Sequence, residues 1–385
     1  MTRRGLGPST RAIHGKPHRR AEKTPVASPI YQSSTFVNAV GSADEVLYTR
    51  YGNNPNQVEL AQKLAGLEGA EAAIFLASGM GATALAHLAV LRPGDHLLAT
   101  EWIYGGTRAL FIDEFEKLGI DVTFVDPSQP RSWKQHVRRN TRAVFVETPT
   151  NPLVRVVNLE PLATFCRQRG MVLIVDSTFA TPINFCPLTV GADIVIHSAT
   201  KYLNGHSDVI AGAVAGNAEV IEEVRNLLKK WGQAVDPFAT WLIDRGLKTL
   251  AVRVERQNAN AQAFAEWAST HARISTVHYP GLEHHPDHEL AVATMRGFGG
   301  VVGVQIKGGG RAASKALRRL RLATHAPSLG GVETLVSEPR YTSHAALTGK
   351  DRLALGIPDG FVRVSVGLED VEDIIADFDR ALADG

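Results

Sequence analysis

The chain has 385 residues, which at roughly 150 residues per domain suggests two to three domains. It carries 41 Lys and Arg against 39 Asp and Glu, and 44% of its residues are hydrophobic. This composition excludes a disordered chain and predicts a soluble globular protein. The balanced charge also argues against nucleic acid as a partner, because phosphate binding requires clustered Lys and Arg.

The cysteine content indicates a reducing compartment. Only Cys166 and Cys186 occur, and two cysteines cannot form a disulfide framework in a chain of this length. No apolar run of signal-peptide length occurs in the first twenty residues. We therefore expect a cytoplasmic protein with two buried thiols.

In chain order, residues 1–55 lack a hydrophobic period and are rich in proline, which predicts an extended N-terminal arm. Short apolar runs then alternate with helical segments such as 105–118 and 159–169, which predicts a mostly parallel sheet covered by helices. The predicted strands are residues 72–77, 96–100, 122–125, 143–147, 172–176, 193–197 and 210–215.

Residues 72–91 are nearly uncharged and long enough to cross a bilayer. Small residues at 78–81 divide this stretch into an apolar run and a helical pattern, so we predict strand, turn and helix, and no membrane contact.

The pattern changes in the last third of the chain. Helical segments are predicted at 218–230, 237–269 and 369–383, with strands at 301–306 and 361–366. We predict a large α/β domain over residues 56–250 and a smaller α+β C-terminal domain over residues 251–385.

Three strand ends carry candidate chemistry, because open α/β sheets bind ligands at the carboxyl ends of their strands. The turn at 78–81 is either a phosphate-binding helix start or a simple tight connection. Asp176 ends a buried-type strand and either meets a cation or caps the next turn. Lys201 follows Ser198 and Thr200, and it is either a surface lysine or one that forms a Schiff base with an aldehyde.

A phosphate anchor, a carboxylate and a lysine are together what pyridoxal 5'-phosphate requires. At this point the sequence resembles the transsulfuration, or Cys/Met metabolism, family of pyridoxal-phosphate enzymes, which has the fold-type I architecture. The matching segments cover nearly the whole chain, in family order: 48–53, 78–80, 104–107, 147–152, 176–182, 198–208, 328–331 and 363–370.

The resemblance implies a role for each matched residue. It implies that Lys201 is the Schiff-base lysine, that Asp176 pairs with the cofactor's ring nitrogen and that Tyr104 stacks on the ring and moves protons. The resemblance implies that the cofactor phosphate is bound within the same chain by Gly79, Met80, Ser198 and Thr200. It implies that two arm residues bind the phosphate of the neighbouring subunit, namely Tyr48 and Arg50. The substrate carboxylate would be bound by Asn151, Ser328 and Arg363. It also implies a homotetramer built as a dimer of dimers.

Three positions depart from the family pattern. The arm has one extra residue at Asn53-Asn54. Gly106 stands where methionine γ-lyases typically have cysteine, and Pro327 stands where many γ-lyases and bacterial γ-synthases have glutamate. Because proline cannot carry charge, we expect better use of an O-acyl-homoserine than of cystathionine, unless Glu333 or an arm residue supplies the contact.

The segment 278–288 holds four histidines, of which His284 and His288 have the i, i+4 spacing of a helical zinc site. Pro286 lies between them and disfavours a regular helix, so we predict no metal site.

The resemblance therefore implies a pyridoxal-phosphate enzyme for γ-replacement or γ-elimination on a γ-substituted amino acid. The leading reaction is that of a cystathionine γ-synthase, O-acyl-homoserine with cysteine or sulfide. The alternative is a γ-lyase that releases 2-oxobutanoate and ammonia, while an aminotransferase and a non-catalytic cofactor-binding protein are more distant rivals.

Overall fold

A seven-stranded sheet forms the framework of the computed structural model, which describes residues 6–15, 22–128, 130–345 and 347–383 and, at 130–132, the backbone alone. The sheet order is β1-β7-β6-β5-β4-β2-β3. Its strands are β1 Ala72–Leu76, β2 His96–Thr100, β3 Asp121–Val125, β4 Thr141–Glu147, β5 Val172–Asp176, β6 Ile194–His197 and β7 Gly212–Gly216.

Six of these strands run in one direction. β2 pairs in parallel with β3 and β4, and parallel pairing continues through β5 to β6. Only β7 is reversed, since it pairs antiparallel with both β6 and β1. The carboxyl ends of six strands therefore meet at one edge of the sheet.

Both faces of this sheet are covered by helices, because side chains alternate between its two sides. Ile74 and Ile174 belong to the core on one face, whereas Ala73 and Leu173 belong to cores on the other. The helices of this region are α2 Pro55–Glu68, α3 Gly79–Val90, α4 Gly105–Ala109, α5 Pro130–His136, α6 Leu159–Arg167, α7 Thr181–Asn184, α8 Ala218–Trp231 and α9 Pro237–Leu247. A π-helix at Leu110–Phe115 and 3-10 turns at Thr49–Tyr51, Glu116–Leu118 and Pro187–Val190 complete it.

A second sheet of five strands follows, in the order β10-β11-β12-β9-β8. Its strands are β8 Ile274–His278, β9 Val301–Ile306, β10 Thr324–His325, β11 Leu335–Ser337 and β12 Phe361–Ser365. The helices of this part are α10 Leu250–Thr270, α11 His288–Thr294, α12 Gly309–Leu317, α13 Gly349–Ala354 and α14 Val371–Ala383, with a 3-10 turn at Pro339–Tyr341. Helix α10 joins the two regions, since Val254 packs in a core of the first and Phe264 in the core of the second.

Helix ends follow their sequence signals. Asn54 caps α2 in a capping box with Gln57, and Asp236 accepts two backbone N–H groups at the start of α9. Thr249 separates α9 from α10, so the single long helix expected at 237–269 is two helices.

The N-terminal segment differs in part from the expected extended arm. Residues Pro8–His14 form a helix, α1, whose Ala12 is fully buried against α2. Residues 22–48 have no helix, and Val37 and Val40 are fully exposed.

The predicted α/β class is confirmed, as is the strand, turn and helix arrangement over 72–90. None of the helices in the described ranges is both long and apolar enough to span a membrane. The domain limits at 55, 250 and 385 stay predictions.

Candidate active site

A cavity of about 760 Å³ opens at the carboxyl edge of the large sheet. Strand ends, the loop after β6 and the segment between β10 and α13 form its walls. Ten of the twelve residues predicted for the site line it: Gly79, Met80, Tyr104, Asn151, Asp176, Ser198, Thr200, Lys201, Ser328 and Arg363. Tyr48 and Arg50 do not.

One end of the cavity is built from the start of α3. The Ser78 side chain accepts the N–H of Gly81 and caps the helix, while the N–H groups of Gly79 and Met80 belong to the first turn, where a helix leaves them without internal partners. A Cβ at Gly79 would lie 2.8 Å from the Ser198 Oγ, so only glycine lets this hydroxyl approach the helix start. The result is an anion-binding concavity.

Thr200 is engaged with backbone. Its Oγ1 donates to the Ala211 carbonyl at 3.1 Å and accepts the Ala211 N–H at 3.0 Å. These bonds fix the loop that carries Lys201 against the segment before β7.

Lys201 lies at the floor of the cavity. Its Nζ donates to the Ser328 Oγ at 2.8 Å. Burial, helped by the nearby Arg363 guanidinium, lowers the pKa of Lys201 to about 8. A substantial fraction of this amine is therefore neutral near pH 8, the form that attacks an aldehyde.

Asp176 and Glu147 end adjacent strands and stand opposite each other in the parallel register. Asp176 Oδ1 accepts both the N–H and the hydroxyl of Thr178, at 2.9 and 2.6 Å. Burial raises the pKa of Asp176 despite these bonds, and burial and then Asp176 raise the pKa of Glu147 well above its usual range. The pair makes this end of the cavity strongly favourable for a cation.

Arg363, on β12, reaches the cavity from the second sheet. Its Nη1 donates to the Asn151 Oδ1 at 3.0 Å and its Nη2 donates to the Ser328 carbonyl at 2.7 Å. The Nε–H is buried without a partner. A buried unpaired donor is costly, so this guanidinium is set up to receive a carboxylate.

Tyr104 stands at the N-terminus of α4, with its ring in the cavity wall. A Cβ at Gly106 would lie 2.5 Å from the Tyr104 Cε1, and one at Gly105 would overlap the Ser343 carbonyl oxygen. The two glycines therefore permit the ring position and the close approach of residues 341–343.

Comparison with known proteins identifies the family. The family model described as Cys/Met metabolism PLP-dependent enzyme matches residues 9–383. The chain belongs to this family. It is therefore an enzyme, and its cofactor is pyridoxal phosphate.

Relatives within the Cys/Met metabolism family carry different reaction names. The chain is 43% identical to the L-methionine gamma-lyase of Fusobacterium nucleatum subsp. polymorphum over 98% of both proteins, and 41% identical to the cystathionine gamma-lyase of Bacillus subtilis over 97% of the chain and 98% of the relative. A solved cystathionine gamma synthase from Xanthomonas oryzae, in complex with aminoacrylate and cysteine, matches with a TM-score of 0.94 and 37% identity over 99% and 98% of the two chains. The relatives of this chain thus include both lyases and a synthase.

The cavity fits the family's cofactor on three observations. The concavity at Gly79 suits a phosphate, the buried Asp176 needs a cation such as a protonated ring nitrogen, and Lys201 presents an amine with a lowered pKa. All three open on the same cavity.

The arm residues Tyr48 and Arg50 lie outside the cavity of their own chain. The Arg50 guanidinium stands 5.5 and 5.1 Å from the ring centres of Tyr48 and Tyr51, and it donates to the Lys229 carbonyl. The extra residue is absorbed locally: Asn53 accepts the Tyr48 N–H at 3.0 Å, and Asn54 becomes the N-cap of α2.

Several neighbouring residues prove to have other contacts. Glu333 accepts the hydroxyl of Ser207 and does not line the cavity, whereas Pro327 does. Asp287, within the histidine-rich segment, accepts two bonds from Arg155. No group of three metal-ligating side chains occurs within the described ranges.

The buried state expected for Cys166 and Cys186 is confirmed, and neither forms a disulfide. One further cavity residue, Glu147, was not among the predicted site residues. The signal was available, because Glu147, like Asp176, directly ends an apolar run.

Proposed function

We propose that the chain catalyses γ-replacement on an O-acyl-homoserine with cysteine or sulfide as the nucleophile. The observation that carries this proposal is the charge distribution of the cavity. The charged side chains among its described lining residues are Glu147, Asp176, Lys201 and Arg363.

Lys201, Arg363 and Glu147 belong to one connected network, and Asp176 stands beside it. Lys201 bonds to Ser328, Ser328 to Arg363, Arg363 to Asn151 and Asn151 to Glu147, beside Asp176. The other lining residues, including Thr107, Ile210, Pro327, Tyr341 and Thr342, are uncharged.

The network suits the cofactor and the amino-acid end of a substrate, and the uncharged walls suit a γ-substituent with no charge near the γ-carbon. Cystathionine brings a second ammonium group into the cavity before its γ-bond breaks, and Pro327 offers that group no carboxylate. An O-acyl-homoserine loses its acyl group before cysteine brings in the same ammonium. Loss of one charge-assisted hydrogen bond typically weakens binding about ten- to hundredfold.

Each chain residue then has a defined task. Pyridoxal phosphate supplies an aldehyde for the substrate amine and a ring that accepts the electrons released at the α-carbon. The N–H groups of Gly79 and Met80, with the Ser198 hydroxyl, bind the phosphate, and Asp176 holds the ring-nitrogen proton.

Lys201 and Tyr104 move protons at the α-, β- and γ-positions, since both face the same cavity. Arg363 binds the α-carboxylate through the N–H groups that its bonds to Asn151 and Ser328 orient. This carboxylate contact fixes the α-proton with respect to Lys201.

The active enzyme in this proposal is a homo-oligomer, a dimer of dimers, in which Tyr48 and Arg50 complete the phosphate site of the neighbouring subunit. Two observations support it. Both residues lie outside their own cavity, and Val26, Val37 and Val40 expose large apolar surfaces on the same arm. A cytoplasmic location is proposed from the composition alone.

A γ-lyase is the second candidate, because close relatives carry both lyase names. Gly106 argues against a methionine γ-lyase that needs cysteine at this position, since a Cβ there would collide with the Tyr104 ring as it stands.

The deciding experiment compares kcat/KM for O-acyl-homoserine plus cysteine with that for cystathionine alone. We expect the first to be higher, and Pro327→Glu to raise the value for cystathionine about ten- to hundredfold. Pro93→Glu, at an exposed turn before β2, is the matched control and should change neither value. A clear preference for cystathionine that Pro327→Glu leaves unchanged would overturn the proposal.

A further inference from the structure

Glu147 makes two bonds that connect different parts of the cavity wall. Its Oε2 accepts the N–H of Tyr104 at 2.6 Å, and its Oε1 accepts the N–H of Asn151 at 2.9 Å. The residue is only 4% exposed. One oxygen of the Glu147 carboxylate therefore binds the loop at Tyr104, and the other binds the loop at Asn151.

The two loops carry groups that meet the substrate. Tyr104 begins α4 with no side-chain cap, so the bond to Glu147 fixes the point from which its ring enters the cavity. Asn151 accepts Arg363 Nη1 through its side chain, so its backbone position determines where that guanidinium stands.

Stability alone does not explain a carboxylate here. Asp176 stands opposite in the register, and two buried carboxylates repel each other and lose hydration. A neutral side chain of the same size would avoid that cost, but it would lack two acceptors for two N–H groups.

We propose that Glu147 is a positioning residue for the amino-acid substrate, holding Tyr104 and, through Asn151, Arg363 in register with each other. The inference rests on the proposed function in that the substrate carries an α-carboxylate. It does not depend on which γ-substituent leaves.

The test is Glu147→Gln, which keeps the shape but replaces one acceptor oxygen with an NH2 group. We expect kcat/KM to fall about ten- to hundredfold, with KM raised and kcat lowered, at unchanged melting temperature and cofactor content. The visible circular dichroism of the bound cofactor should also change, because Tyr104 shifts against the ring. Glu160→Gln, an exposed glutamate in the first turn of α6, is the matched control.

A double-mutant cycle separates positioning from general damage. In an Asn151→Ala background, Glu147→Gln should raise KM much less than it does alone, because the route to Arg363 is already cut. If Glu147→Gln does not fold, Glu147→Asp keeps the carboxyl group but is one methylene too short for both bonds, and it should show the same spectral and kinetic changes.

Wild-type kcat, KM and circular dichroism in the folded variants would overturn the inference, as would independent effects in the cycle. Failure of the proposed function would give a different experimental result from failure of this inference. In that case the wild-type enzyme turns over no γ-substituted amino acid, while the circular dichroism comparison still tests Glu147.

Discussion

Mixing two inactive variants tests whether the active site is shared between subunits. Lys201→Ala removes a residue inside the chain's own cavity, and Arg50→Ala removes one that lies outside it. In an isologous dimer with shared sites, each mixed dimer then has one complete site and one site that lacks both residues. Random exchange makes half of the dimers mixed, so about one quarter of wild-type activity should return.

The assay is turnover after equimolar variants are exchanged in mild denaturant, refolded with pyridoxal phosphate and compared with wild-type protein treated alike. Lys201→Ala mixed with Asp176→Asn is the control, because both residues line the same chain's cavity and no mixed dimer holds a complete site. Two affinity tags establish that exchange occurred. No recovery despite exchange, or equal recovery in the control, would refute the shared site.

Borohydride reduction of the holoenzyme should fix the cofactor to Lys201, because burial lowers the pKa of this amine and keeps it reactive at neutral to mildly alkaline pH. Peptide mapping identifies the labelled lysine, and a label on another lysine would contradict the assignment. Asp377→Asn should lower the free energy of unfolding at pH 7 by about 1–3 kcal/mol, measured by denaturant titration, because the carboxylate accepts backbone N–H groups from residues 321–323. Burial alone would raise the pKa of Asp377, but these bonds and Arg380 lower it. Its stabilisation is therefore present above the unfolded-state pKa of about 3.9, and the difference between the proteins should shrink as pH falls below about 4. A difference that is independent of pH would contradict this reasoning.

The sequence was most informative where local chemistry and strand ends coincide. Asp176 and Lys201 follow apolar runs, and the rule that ligands bind at the carboxyl ends of parallel strands predicted that they meet. Short strands were harder to predict: β10 has two residues and β11 three, so neither shows a usable period.

Contacts distant in sequence could not be predicted from local patterns. Ser328 lies 127 residues from Lys201, and Arg363 lies 212 residues from Asn151. Only the family resemblance brought them to one site. The role of Glu147 was missed for a different reason, since it acts through backbone N–H groups whose positions depend on the folded loops.

A side chain at Gly105 would overlap the carbonyl oxygen of Ser343, a residue of the cavity wall, so the main chains of the two regions lie close together there. Residues 341–343 belong to the connection between β11 and α13, whereas Gly105 directly follows Tyr104. Because Gly105 has no side chain, no flexible side chain separates the two main-chain segments. A movement of the second sheet towards the first would press Ser343 against the start of α4, so we expect the position of the Tyr104 ring to depend on how the two regions pack together.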